Sequence, residues 1–119
     1  MSEGFVAIGQ LSEIPPGEGR EFVVGGRHIA VFHTRGGAVF ATQASCPHRG
    51  GPLRDGLTDE ATVVCPLHDR TYEFRTGRGI GTDCNIAVYP TRLAPDGRIY
   101  VDPTPTGAAM ERGEAAAAD

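Results

Sequence analysis

Cys46-Pro47-His48-Arg49-Gly50-Gly51-Pro52-Leu53, followed by Cys65-Pro66-Leu67-His68, is the stretch on which the reading of this chain turns. It spells C-x-H-x16-C-x2-H, two Cys/His pairs in loops marked by proline and glycine. A thiolate and an imidazole one residue apart in an extended loop can turn towards one centre, and so can a pair two residues apart. The proline after each cysteine restricts the backbone and removes an amide donor, which presets the loops. Taken singly, each residue has a plainer reading. An isolated cysteine in a β-domain is usually a small buried hydrophobe, and an isolated histidine near a loop is usually a satisfied polar group. As a set, Cys46, His48, Cys65 and His68 point to a metal centre. Two Cys and two His also describe a closed tetrahedral zinc site. Zinc-finger patterns, however, place both cysteines before both histidines. The alternating order here fits a two-iron, two-sulfide centre with the cysteines on one iron and the histidines on the other.

Outward from this stretch the chain reads as all-β. Its 119 residues include 17 Gly and 9 Pro, set between short β-branched and aromatic runs, as in hairpin-rich domains. Strands are predicted at 5–8, 21–24, 28–33, 38–42, 62–65, 71–74, 86–89 and 98–101. Gly25-Gly26, Gly36-Gly37 and Pro95-Asp96-Gly97 carry the chemistry of tight hairpin turns. The imperfect alternation from His28 to His33 suggests a strand buried largely on both faces, with its two histidines at the ends, in packing or at the surface. Pro103 onward reads as a flexible tail, its alanine-rich end too short for a stable lone helix.

Composition excludes several functions. All 11 basic residues are arginines, set against 15 acids for a net charge of -4, which disfavours general nucleic-acid binding. No apolar run approaches the roughly 20 residues that span a bilayer. The N-terminal residues lack the pattern of a signal peptide, so a cytoplasmic location is expected. Three cysteines in a reducing compartment argue for metal or redox chemistry over a disulfide framework. Neither a nucleotide-binding glycine loop nor a Ser/His/carboxylate constellation is evident.

The quoted segment resembles the soluble Rieske-type [2Fe-2S] ferredoxins, as do Arg75-Thr76-Gly77 and Val88-Tyr89-Pro90-Thr91-Arg92. Such sequences serve as carriers for ring-hydroxylating oxygenases and as small subunits of NAD(P)H-dependent nitrite reductases. The resemblance implies a β-sandwich with a small cluster-binding sub-domain inserted at about 43–84, the whole domain spanning 1–102 and a tail following at 103–119. It further implies one cluster per chain, with Cys46 and Cys65 on the inner iron and His48 and His68 on the outer one, projecting towards solvent. The function implied is one-electron transfer from a reductase to a terminal oxygenase, with no catalysis by the chain alone. A nitrite reductase small subunit is the alternative, and a zinc-stabilised interaction module a third reading. In either redox role the partners are redox proteins, with neither nucleic acid nor membrane among them.

Departures from the membrane-complex members of the family carry information. Their extra loop cysteines correspond to Gly51 and Leu67 here, so no loop-to-loop disulfide is expected. Their sulfur-bonding serine and tyrosine correspond to Arg70 and Tyr72. The serine bond is therefore absent, and Tyr72 either bonds a sulfur or packs beside Phe74. Hydrogen bonds to sulfur raise the potential, so a value in the lower part of the roughly −150 to +300 mV Rieske range is expected. By the same resemblance, Gly50, Gly51, Gly56, Gly77, Gly79 and Gly81 would let amides point at the cluster, although for any one of them a plain turn is the commoner role. Arg49, Arg54 and Arg70, beside Asp55 and Asp69, would set the charge pattern for transient docking, or form a solvated mixed face. Proton affinity of the two histidines should rise on reduction. Cys84 lies outside the ligand set and is expected to be structural or partly buried.

Overall fold

Gly25 and Gly26 both adopt positive φ, +58° and +81°, as a two-residue hairpin of matching twist requires. They close β2 (Glu18–Val24) onto β3 (Arg27–His33), with Val24 opposite Arg27. β4 (Val39–Gln43) follows across the turn that contains Gly37, and β9 (Val88–Tyr89) completes a four-stranded antiparallel sheet in the order β2-β3-β4-β9. The computed structural model describes residues 4–47, 51–66, 70–82 and 84–107.

This sheet is the middle layer of three. Against one face lies a three-stranded sheet of β1 (Val6–Gln10), β11 (Arg98–Val101) and β10 (Thr91–Leu93), in the order β1-β11-β10. Against the other lies a small sheet of β5 (Leu57–Thr58), β6 (Thr62–Val64), β7 (Thr71–Glu73) and β8 (Gly79–Ile80). Because successive strand side chains point to opposite faces, β3 serves both layers. Ile29 and Val31 enter a core with Ile14, Val39, Ile99 and Val101. Ala30 and Phe32 enter a second core with Leu53, Val63, Tyr72 and Phe74. The expectation of a strand buried on both faces is met, since these four β3 residues are fully buried. Its end histidines take separate roles: His33 Nδ1–H donates to the Ile14 carbonyl at 2.6 Å, and His28 Nδ1 lies 2.8 Å from the Glu21 carboxylate.

The small sheet is fastened to the middle layer by rings and by polar ties. Phe74 stacks on Phe40 at 4.8 Å between centroids and meets Phe32 at 5.0 Å in a tilted pair; such pairs contribute about 0.5–1.5 kcal/mol beyond burial. Arg54 donates to Glu21 at 2.6 Å, Thr58 Oγ1 to the Gly17 carbonyl at 3.2 Å, and the Gly36 amide to Glu60 at 2.9 Å.

The structure differs from the sequence reading in three places. β5, β8 and β10 were not anticipated; two of them are two-residue strands, and β10 follows Pro90 directly. The run 86–89 is a strand only at Val88–Tyr89, although Ile86 and Ala87 are buried. The flexible tail was expected from Pro103, yet Thr106 pairs with Val88 through reciprocal backbone bonds of 2.8 and 3.2 Å, which carries the ordered fold past that point. The remaining tail residues, 108–119, lie outside the described residues. Among those described, no helix is long and apolar enough to cross a membrane.

Candidate metal centre

Each of Cys46 and Cys65 sits one rung beyond a β-ladder, where the chain leaves pairing to make a loop. The Cys46 amide donates to the Gly51 carbonyl at 2.8 Å, beside a bridge between Ser45 and Pro52, and the Leu53 amide returns to Ala44 at 2.9 Å. The Cys65 amide donates to the Arg70 carbonyl at 2.7 Å, extending the β6-β7 ladder by one step. Both loops thus hang from closed backbone rungs, and both thiols are buried, at 2% and 1% exposure, in the core that β3 shares with the small sheet.

A third side chain reaches one of these sulfurs. Tyr72, fully buried on β7, brings its hydroxyl to 3.4 Å from Cys46 Sγ. Burial above all, then the bond to Cys46 and the charges of Cys46, Cys84 and Cys65, push its phenol well above the ordinary value, so the hydroxyl keeps its proton and is the donor towards a thiolate. A desolvated thiolate needs such a partner. All three cysteines are free thiols. A pair of buried thiols with a phenolic donor aimed at one of them suits a group that takes thiolate ligands.

Further residues brace the site. Gln43, 1% exposed, accepts from the Ala87 amide at 2.7 Å and donates to the Ser45 carbonyl at 2.6 Å, which anchors the approach to Cys46. Thr82 Oγ1 accepts from the Arg70 guanidinium and, at 3.3 Å, from the Cys84 amide. Asn85 Oδ1 takes the Gly79 amide at 3.0 Å. Gln43, Thr82 and Asn85 carried no signal in the sequence, because they bond backbone groups or, for Thr82, an arginine twelve residues away as well, and neither leaves a spacing pattern. Cys84 is partly buried against the same core.

His48 and His68, the other two ligand candidates, lie outside the described residues, as do Arg49, Gly50 and Asp69. Among the described residues no group of three or more His, Cys, Asp or Glu side chains gathers, so they contain the thiol half of the candidate set alone. The glycine expectation needs correction. The amides of Gly56, Gly77 and Gly79 donate to Leu53 O, Glu73 O and Asn85 Oδ1, and so are not free to point at sulfur. Gly77 and Gly79 instead allow close backbone approach, since a Cβ there would collide with the carbonyls of Ile86 and Cys84. Arg54 is engaged with Glu21 at 2.6 Å and lies 3.7 Å from Asp55, a tie between layers.

The chain is similar to known proteins along most of its length. The Rieske [2Fe-2S] domain family matches residues 4–91. The 3-phenylpropionate/cinnamic acid dioxygenase ferredoxin subunit of Photorhabdus laumondii is 37% identical over 106 residues, covering 85% of this chain and 94% of that protein. The ferredoxin of carbazole 1,9a-dioxygenase from Nocardioides aromaticivorans superposes with a TM-score of 0.74 at 27% identity, covering 84% of this chain and 98% of that one. A chain described as the NADH-dependent nitrite reductase small subunit of Mycobacterium tuberculosis superposes with a TM-score of 0.76 at 23% identity, covering 82% and 92%; at that identity the likeness speaks for the fold.

Proposed function

The chain belongs to the Rieske [2Fe-2S] domain family, and from that premise we propose that it is a one-electron ferredoxin, passing electrons from a reductase to a ring-hydroxylating oxygenase in the cytoplasm. Cys46 and Cys65 would hold one iron of a single cluster as thiolates, and His48 and His68 the other through a ring nitrogen. The cluster supplies a one-electron couple when bound. The residues around it set how readily that electron is accepted. Tyr72 holds its proton between its own oxygen and Cys46 Sγ, and this hydrogen bond favours the more negative, reduced state. Gln43 and the two closed rungs fix the loop backbones, and Phe32 and Phe74 share the core of the two thiols, with Phe40 packed against it.

The observation that carries this reading is the placing of two buried free thiols and the Tyr72 hydroxyl in one core. The relatives favour the carrier role. A dioxygenase ferredoxin subunit reaches 37% identity over 94% of its length, and the solved dioxygenase ferredoxin is 27% identical over 98% of its own. A permanent small-subunit role would appear as co-purification with a large flavin- and haem-containing chain.

The deciding experiment is anaerobic purification with iron, sulfide and zinc counted in one sample, then electron paramagnetic resonance after dithionite reduction. About two irons per chain and a reduced signal whose average g lies below that of an all-cysteine cluster are expected. Colourless protein with stoichiometric zinc would overturn the reading in favour of a closed structural site.

A further inference from the structure

The position of Arg70 next to the small sheet gives it a means of acting on the candidate centre. In the β6-β7 ladder Val63 pairs with Tyr72 and Val64 with Thr71, and the next rung sets Arg70 opposite Cys65, whose amide donates to the Arg70 carbonyl at 2.7 Å. Alternate residues of a strand share a face. Arg70 therefore leaves the sheet on the side of Tyr72 and Phe74, and Cys65 on the side of Val63. All four of these neighbours are buried to 2% exposure or less. Thr71 and Glu73 take the other face. The side chain thus leaves the backbone towards that face, and the residue stands across the rung from Cys65, a candidate ligand. Its Nη1 donates to Thr82 Oγ1, which also takes the Cys84 amide at 3.3 Å, so the guanidinium is fixed beside the segment that carries Thr82 and Cys84. Arg70, Gly81, Thr82 and Cys84 line an open cleft of about 680 Å³ at this point.

We propose that Arg70, pinned by Thr82, raises the reduction potential of this centre, beside the hydrogen bond from Tyr72. The inference rests on the cluster reading given above. One electron from the reductase, or from dithionite in the cuvette, adds one unit of negative charge to the site. A fixed cation on the same face stabilises the reduced state more than the oxidised one, and so raises the potential. Arginine cannot shed its charge at any working pH, which makes this contribution independent of protonation. The pin matters because a free side chain would swing towards water, where salt screens it.

The test is the midpoint potential of the loaded protein, measured by spectroelectrochemistry across a salt series. Arg70→Gln should lower the potential, and Arg70→Lys should restore most of the difference because it keeps the charge. Thr82→Val keeps the charge and loses the pin, so it should give a smaller decrease and a steeper salt dependence, as screening reaches the freed group within a Debye length of about 10 Å at 0.1 M. An Arg70→Gln protein that retains its cluster and matches the wild-type potential overturns the proposal. So does Arg70→Lys falling as far as Arg70→Gln, which would make the role one of shape. Should Arg70→Gln not hold iron, Thr82→Val carries the decision: identical potential and salt dependence to wild type overturn the proposal. Absence of a Rieske signal in the wild-type protein would instead bring down the cluster reading itself, a result distinguishable from all of these.

Discussion

The two faces of the middle sheet are packed with different materials. Towards β1, β10 and β11 the core is largely aliphatic, with Ile14, Ile29, Val31, Ile99 and Val101 fully buried. Towards the small sheet, aliphatic side chains share the space with Phe32, Phe74, Tyr72 and two cysteines. The first layer rests on strands of three to five residues and on ordinary burial. The second has strands of two or three residues, too short for a sheet to persist unaided. Such a layer depends on its docking rings, its polar ties and, in the proposed function, on metal–ligand bonds that supply folding free energy directly. The middle sheet is a scaffold that folds by burial, and the small sheet is a site held on it.

The largest expected effect is at the two proposed thiolate ligands. Cys46→Ser or Cys65→Ser should abolish the cluster spectrum, and hydrogen exchange should show β5–β8 losing protection while β2–β4 keep it. Equal loss in both layers would break the contrast. Next come two fully buried residues on one strand, facing opposite ways. Ile29→Ala and Phe32→Ala should each cost about 2–5 kcal/mol in a urea titration. Only Phe32→Ala should also lower the iron content. Retention of full iron by the Phe32 variant would show that the cluster layer tolerates its own cavity.

A smaller effect is expected at Tyr72. Tyr72→Phe removes one hydrogen bond to sulfur, worth about 1–3 kcal/mol, and should lower the potential. It should also change the alkaline limb of stability. The folded phenol holds its proton to higher pH than the unfolded one, so the stability concerned is present below the unfolded value near pH 10 and drains away as pH rises from there towards the folded value. The Phe variant should lack that loss when melts are followed between pH 9 and 11. Smallest is Asp59→Asn in the β5–β6 turn. The Asp59 carboxylate accepts from the Ala61 and Thr62 amides at 2.8 and 2.7 Å and from Thr62 Oγ1, and these bonds hold its carboxyl below the usual range. The stability it lends is present above the unfolded value of roughly 3.9 and is lost as pH falls through the folded one. Acid titration of the Asn variant should show a shallower slope there.

Much of this contrast was legible in the sequence. The double glycine at 25–26 marked its hairpin because positive φ at both turn positions has few other solutions. The mixed pattern at 28–33 marked a two-faced strand because both neighbours demand apolar surface. Cys46 and Cys65 stood out because each is followed by a proline and then, two or three residues on, by a histidine; the structure buries both in one core. The short strands β5 and β8 were not, since two residues such as Gly79–Ile80 carry no periodicity and pair only because the ladder from β7 reaches them. Arg70 was legible as a substitution, while its pin was not: the partner hydroxyl is twelve residues away, on a loop whose course follows from tertiary packing. The ties made by Glu21, Gln43 and Glu60 were hidden for the same reason.

The double service of β3 has a consequence for how this chain can change over evolutionary time. A residue inserted within Arg27–His33 would exchange the two side-chain sets, thrusting Phe32 towards the aliphatic layer and Val31 towards the sulfurs. Both layers would fail together. Length variation should therefore be tolerated at the hairpin tips and forbidden along this strand, so that β3 acts as the reading frame of the molecule, keeping the buried scaffold and the electron-transfer site in phase.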